Sequence, residues 1–176
     1  DKGIYKTIKF ENLRYIGDPL NIIKILNDKF ADELIICDIN ASKSDVIDLE
    51  YLKNIFQSCR MPVCYAGGIS SLEKASLLYS IGVEKLGIGN TIISNPDLIY
   101  DISKIYGSQS VVSILNLVQF ENKIYLFDYI NKKILNDIKV IEFIKKIQDD
   151  GVGEIILHFI NNDGTMLGYN YQIIDL

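Results

Sequence analysis

The sequence is short of the residues that carry several common chemistries. It has one histidine and three cysteines, and its net charge is −5. Cys37, Cys59 and Cys64 fall at no metal-ligand spacing, and an odd number cannot all pair. Cys37 and Cys64 lie inside apolar runs and are expected to be buried, reduced and small-hydrophobe-like. Reduced thiols and the lack of a signal-peptide pattern make the cytoplasm the expected compartment. The acidic balance argues against nucleic-acid partners, which need a basic face. The basic pairs Lys132-Lys133 and Lys145-Lys146 read as solvated surface. No apolar run reaches the roughly 18–20 residues of a membrane span, so no membrane partner is expected.

What is abundant is apolar residues, 48% of 176, enough for one domain with a substantial core. The chain begins at Asp1 without a methionine and ends at Leu176 where a helix is starting, so segments are expected to be missing at both ends. Short branched runs at Leu34–Cys37, Pro62–Tyr65, Lys85–Ile88, Ser110–Leu115 and Glu154–Phe159 predict strands, and a further strand is expected at Tyr5–Phe10. Helical patterns at Leu49–Cys59, Ser71–Ile81, Asp97–Tyr106 and Ile138–Ile147 alternate with them; the last three are stopped at Gly82, Gly107 and near Gly151. Strands that are apolar throughout and alternate with helices imply a parallel sheet covered by helices. Residues 120–136 interrupt the rhythm, and Lys123–Tyr129 reads as a hairpin strand inserted in a βα loop.

An internal repeat narrows the architecture. Asp32-Glu33-Leu34-Ile35-Ile36-Cys37-Asp38-Ile39-Asn40 resembles Gly153-Glu154-Ile155-Ile156-Leu157-His158-Phe159-Ile160-Asn161, and helical patterns at Pro19–Asn27 and Val140–Asp149 precede the two copies. Repeats on this scale point to a doubled half-barrel. A (β/α)8 barrel takes about 250 residues, so this chain, a single partial barrel domain over 1–176, would hold roughly the middle of one, without the first strand and the last two units. A doubly wound open sheet is the alternative.

In a βα-barrel the loops after the strands build the active rim. These loops carry Asp38, Asn40 and Ser42, then Gly67-Gly68-Ile69-Ser70, then Gly89-Asn90-Thr91, then Asn116, then Asn161-Asn162-Asp163-Gly164-Thr165. Gly67-Gly68 allows close backbone approach at a helix start, and Asn90-Thr91 adds an amide and a hydroxyl; two such loops side by side suit a phosphate. Asp163 reads either as an acid–base group or as a turn former, and Asp38 has the same ambiguity. His158 lies within a strand and is expected to be a hydrogen-bonded core residue. Glu33, Lys85 and Glu154 start three strands at the opposite end, as solvated charges or as a ring that plugs or gates the barrel.

Tyr15-Ile16-Gly17-Asp18-Pro19, Asp32-Glu33-Leu34 to Ser42, Ala66-Gly67-Gly68-Ile69, Asn95-Pro96, Tyr106-Gly107-Ser108-Gln109-Ser110-Val111-Val112 and Asp163-Gly164-Thr165-Met166-Leu167-Gly168-Tyr169 occur in one register. Together they resemble the cyclase subunit of imidazole glycerol phosphate synthase, and most closely its paralogous branch associated with surface-sugar amidation. The resemblance implies a (β/α)8 barrel with two phosphate sites and no metal or organic cofactor. It implies a glutaminase subunit docked on the bottom face, whose ammonia passes through the barrel to a phosphoribulosyl aminoimidazole-carboxamide intermediate. The products would be imidazole glycerol phosphate and an aminoimidazole-carboxamide ribotide. By position it assigns Gly67, Gly68, Asn90 and Thr91 to one phosphate site, Lys6 to a flexible active-site loop, Asp163 to the chemistry, and Glu33, Lys85 and Glu154 to the ammonia gate.

The departures from that family are Ala66 before the glycines, Asn116 where it carries an essential aspartate, and Asn161 where it carries another. An amide cannot accept a proton as a carboxylate does. The expectation is therefore a cyclase or synthase subunit of a glutamine amidotransferase with negligible activity on the histidine intermediate, or else a non-catalytic barrel that binds and activates a partner amidotransferase. A related barrel isomerase shares the fold and one phosphate site, but Asp163-Gly164-Thr165 and the gate charges fit the cyclase better.

Overall fold

The computed structural model describes residues 2–121 and 123–174. The chain opens with an antiparallel hairpin, β1 (Ile4–Ile8) and β2 (Glu11–Gly17), which forms a two-stranded sheet of its own. The expected strand at Tyr5–Phe10 is thus half of a hairpin and not a parallel barrel strand. Lys9, Phe10 and Asn12 take positive φ to turn it.

Then follow α1 (Pro19–Asp28), β3 (Leu34–Cys37), α2 (Ile39–Ser44), α3 (Leu49–Gln57), β4 (Val63–Ala66), α4 (Leu72–Ser80), β5 (Lys85–Ile88), α5 (Thr91–Ser94) and α6 (Asp97–Tyr106). The second part runs β6 (Val111–Phe120), β7 (Lys123–Asp128), β8 (Lys133–Leu135), α7 (Val140–Asp149), β9 (Glu154–Phe159) and α8 (Tyr171–Ile174). Side-chain caps start the helices where the sequence supplies them: Asp18 before Pro19, Asp48 on Tyr51 N and Ser71 on Lys74 N. Each such cap stabilises by about 1 kcal/mol.

The parallel part of the large sheet has the order β3-β4-β5-β6-β9, and the described strands form an open arc rather than a closed barrel. The two copies of the internal repeat are its edge strands. The β6 strand is longer than the sequence suggests: beyond Leu115 it continues to Phe120 and pairs antiparallel with β7, which pairs with β8. This hairpin stands over the end of β5.

Alternation along the strands separates two faces. Tyr65, Leu86, Ile88, Val111, Leu115 and Leu117 point to the helices and join Leu52, Phe56, Leu78, Ile99 and Ile102 in the core. The opposite face carries the aligned sets Ile35, Cys64 and Lys85, then Cys37, Ala66 and Gly87, and finally Asn116 with His158. Cys64 is buried as expected, but Cys37, on the same face, is exposed because it lies at the end of the edge strand β3, where the cleft opens. Lys132, Lys133, Lys145 and Lys146 are all exposed. No described helix is long and apolar enough to cross a membrane.

Gly87 is closely packed on that face. A Cβ there would sit 2.7 Å from Ala66 Cβ and 2.8 Å from Ile114 Cδ1. Gly87→Ala is expected to cost about 1–3 kcal/mol, the usual range for overpacking, read as a lower urea midpoint. A wild-type midpoint would contradict this packing.

Candidate active site

The loops after the strands enclose a cleft of about 410 Å³. Ala66, Gly87 and Ile114 are among the residues at its floor, and its walls include Asp38, Gly67, Gly68, Asn90, Thr91 and Asn116. The two hairpins close it from the rim, one with Thr7 and Phe10 and the other with Asp128 and Tyr129. The rim residues Asp38, Ser42, Gly67-Gly68-Ile69, Gly89-Asn90-Thr91 and Asn116 therefore meet in one place, whereas Asp163 and the rest of the 161–165 loop lie beside the cleft and not in its lining. Lys6 is an exception: it is exposed on β1, and its neighbour Thr7 faces the cleft.

Each loop is held by its own polar bonds. Asp38 caps α2 through Ala41 N at 2.8 Å and accepts from the Tyr65 hydroxyl at 3.3 Å. Gly67 and Gly68, at φ 145° and 62°, pass directly under this turn. A Cβ on Gly67 would lie 2.6 Å from Asp38 O, and one on Gly68 2.8 Å from Ala41 O. The glycines thus let two adjacent loops pack together as well as leaving backbone open to the cleft. Asn90 is bound on both sides of its amide, donating to Asp128 and accepting from Tyr129 N at 3.0 Å. Its carbonyl accepts from Ile93 N at 3.1 Å, and Thr91 lines the cleft beside it. Asp128 also accepts from Asn131 N at 2.9 Å and Asn131 Nδ2 at 2.7 Å. Burial alone would raise the Asp128 pKa; the bonds from Asn131 and Asn90 outweigh it and hold the carboxylate below its ordinary value.

Asp163 is not folded back into an Asx turn. Its Oδ2 accepts from Thr7 Oγ1 at 2.7 Å and Phe10 N at 3.0 Å, and its carbonyl accepts from Lys9 N at 3.0 Å. It is the anchor of the β1–β2 hairpin. Gly164, at φ 67°, allows the Thr7 backbone to approach closer than any side chain would permit. Asn161 uses both ends of its amide on the β6 backbone, accepting from Gln119 N and donating to Gln119 O. An aspartate could not make the second bond.

His158 is not a core residue. Its side chain is 41% exposed, lies 3.6 Å from Asp163 Oδ1 and lines the cleft. The Phe10 ring meets it edge-on at 4.5 Å between centroids, and Tyr129 stacks edge-on against Phe10 at 5.3 Å. Burial lowers the His158 pKa below the ordinary 6.5, and the Asp163 carboxylate offsets only part of this. Sequence reasoning missed His158 as a cleft residue, although its flanks Leu157 and Phe159, both apolar, give its phase in the strand. It also missed Asp128, whose partner Asn90 is distant in sequence.

At the other end of the arc, Lys85 Nζ lies 3.0 Å from Glu33 and 2.7 Å from Glu154. A lysine of the middle strand thus joins the equivalent glutamates of both edge strands. The bonds from Glu154 and Glu33 raise its pKa. Among the described residues, no group of three or more His, Cys, Asp and Glu could hold a metal ion.

Asp163→Ala removes two bonds to a charged acceptor, each worth about 1.5–3 kcal/mol. The Phe10 amide should then exchange with solvent at least about tenfold faster, and an unchanged rate would place the anchor elsewhere. The His158 imidazole should titrate below 6.5 in the native protein, and lower still in Asp163→Ala, by NMR. Because the unfolded chain binds this proton more tightly, the His158 contribution to stability falls as pH drops from 6.5 towards the lowered pKa and levels off below it.

Comparison with known proteins agrees with this geometry. The family described as "Histidine biosynthesis protein" matches residues 2–176. The "Putative imidazole glycerol phosphate synthase subunit hisF3" of Vibrio vulnificus (strain YJ016) is 41% identical over 177 residues, covering 99% of this chain and 68% of that protein. The "Imidazole glycerol phosphate synthase subunit HisF" of Buchnera aphidicola subsp. Acyrthosiphon pisum is 33% identical over 176 residues, covering 97% and 68%. That of Hydrogenobaculum sp. (strain Y04AAS1) is 33% identical over 180 residues, covering 100% and 70%. With a parallel sheet of alternating β and α units and a cleft at its strand ends, the chain belongs to the (β/α)8-barrel family of histidine biosynthesis proteins, among the HisF-like cyclase subunits of imidazole glycerol phosphate synthase.

Proposed function

We propose that this chain is the ammonia-using barrel subunit of a glutamine amidotransferase, and that its efficient substrate is a phosphorylated compound other than the histidine intermediate. The observation that carries this is the placing of two sites on one face of the sheet. The Glu33–Lys85–Glu154 cluster stands at the strand starts, and the cleft opens at the strand ends. Glu154 lies about 13 Å along β9 from His158 at the usual strand rise. A glutaminase on the cluster side would release ammonia next to Lys85, and the cleft would hold the acceptor. The Gly67-Gly68 backbone and Thr91 supply donors for one phosphate, as nests of free N–H groups do.

Asn116 argues against efficient cyclisation. It lines the cleft where the resembled cyclases carry an aspartate, and losing one general acid–base group costs about two to four decades of rate. The full-length protein should turn over the phosphoribulosyl aminoimidazole-carboxamide intermediate slower by that margin than a relative with the carboxylate, and Asn116→Asp should raise the rate at least about tenfold. Robust turnover by the unaltered protein would contradict the reading. Binding of a glutaminase subunit should be unaffected by Asn116→Asp. Lys85→Met should depress glutamine-supported turnover while sparing turnover supported by added ammonium.

The engagement of the Asn90 amide by Asp128 favours a second reading, a non-catalytic barrel that binds and activates a partner amidotransferase. Asp163→Asn separates the two. Glutamine-dependent amide transfer that is unchanged by this substitution supports the second reading, and a clear loss with Phe10 amide protection retained supports the first.

A further inference from the structure

The carboxylates that line the cleft are nearly all occupied by the fold. Asp38 caps α2 and receives Tyr65; Asp128 receives Asn90 and Asn131. Asp45 pairs with Lys74 and receives Ser70, and Asp163 beside the cleft holds the β1–β2 hairpin. A group that spends its lone pairs on structural donors is a poor proton acceptor for a ligand. His158 differs: its side chain is 41% exposed, it lines the cleft, and its nearest charged neighbour, Asp163, is 3.6 Å away, beyond hydrogen-bonding distance. The β6–β9 register sets it directly opposite Asn116, on strands about 4.8 Å apart.

We infer that His158, with the Asp163 carboxylate beside it, is the acid–base group of this cleft, serving from β9 the reaction centre that Asn116 adjoins on β6. The inference rests on the reading of the cleft as the place where ammonia meets a phosphorylated carbonyl compound. As the nitrogen of ammonia bonds to the carbonyl carbon, the C=O π pair moves to oxygen. The neutral imidazole takes one proton from the nitrogen and returns it to that oxygen, so the carbinolamine forms and the imidazole ends neutral. Between the two transfers the imidazolium faces the Asp163 carboxylate 3.6 Å away, whose negative charge stabilises it. The Phe10 ring from the hairpin packs on the imidazole, Thr7 binds Asp163, and the uncharged Asn116 stands opposite on β6. Lys43 lies beyond them, 5.8 Å over the Tyr129 ring. Burial keeps the imidazole neutral near pH 7, the form that accepts a proton.

The test is the pH profile of ammonium-supported turnover by the full-length protein at constant free ammonia, with the phosphoribulosyl aminoimidazole-carboxamide intermediate as probe. The residual wild-type kcat/KM should rise through an ionisation below 6.5. His158→Gln and His158→Asn should each lower kcat at least about tenfold, leave KM within about twofold and abolish that ionisation. In an Asn116→Asp background the same changes should cost less than about threefold, because a carboxylate then does the work. If the His158 variants keep the wild-type rate and profile while Asn116→Asp is active, the inference is overturned and the reading of the cleft stands. If wild type and Asn116→Asp are both silent, the reading of the cleft falls and the inference falls with it.

Discussion

The structure depends on β6. It is a ten-residue strand with more than one partner along each half of its length. Its first half pairs with β5 on one edge, its last four residues pair with β7 on that same side, and Val112–Leu117 pair with β9 on the other edge. Because the side-chain period of a strand is two, this register places each neighbouring side chain on a definite face. It sets Glu154 at the level of Val112 and His158 at the level of Asn116. A slip of one residue would send His158 into the helix layer and a core leucine into the cleft.

The same constraint explains why the two ends of the sheet differ. At the strand starts the charged side chains bond to one another, with Lys85 between glutamates that come from the two copies of the internal repeat. At the strand ends they bond mostly to backbone and amides and hold loops and hairpins in place. Asp163 ties the first hairpin down and Asp128 ties the second to Asn90. The cleft between them has aromatic walls at Phe10 and Tyr129, and His158 lines it 3.6 Å from the Asp163 carboxylate.

The sheet was legible because four-residue apolar runs bounded by cap residues repeat along the chain, and local signals suffice for these. The rim was legible at Asp38, Gly67, Gly68 and Thr91, since a strand end fixes the position of the next residues; Asn116 faces the cleft from within β6. What was missed depends on distant partners. All of β2 except Gly17 is exposed, so no apolar period announced it, and β1 holds it through a turn of positive-φ residues. The Asn90–Asp128 and Asp163–Thr7 bonds join residues far apart in sequence. An apolar run suggests burial for Cys37 and a strand position suggests it for His158, but both lie at the cleft end of edge strands, on the face that the cleft opens onto.

The central claim is that the cleft is an intact site for a phosphorylated substrate whose chemistry, not its binding, has been altered at Asn116. The most direct measurement is calorimetric titration of the full-length protein and of Asn116→Asp with the phosphoribulosyl aminoimidazole-carboxamide intermediate. The account predicts saturable binding with Kd values within about twofold of each other, since a group acting only in the transition state leaves ground-state affinity unchanged. No binding by either protein, or binding that appears only when the carboxylate is restored, would contradict it.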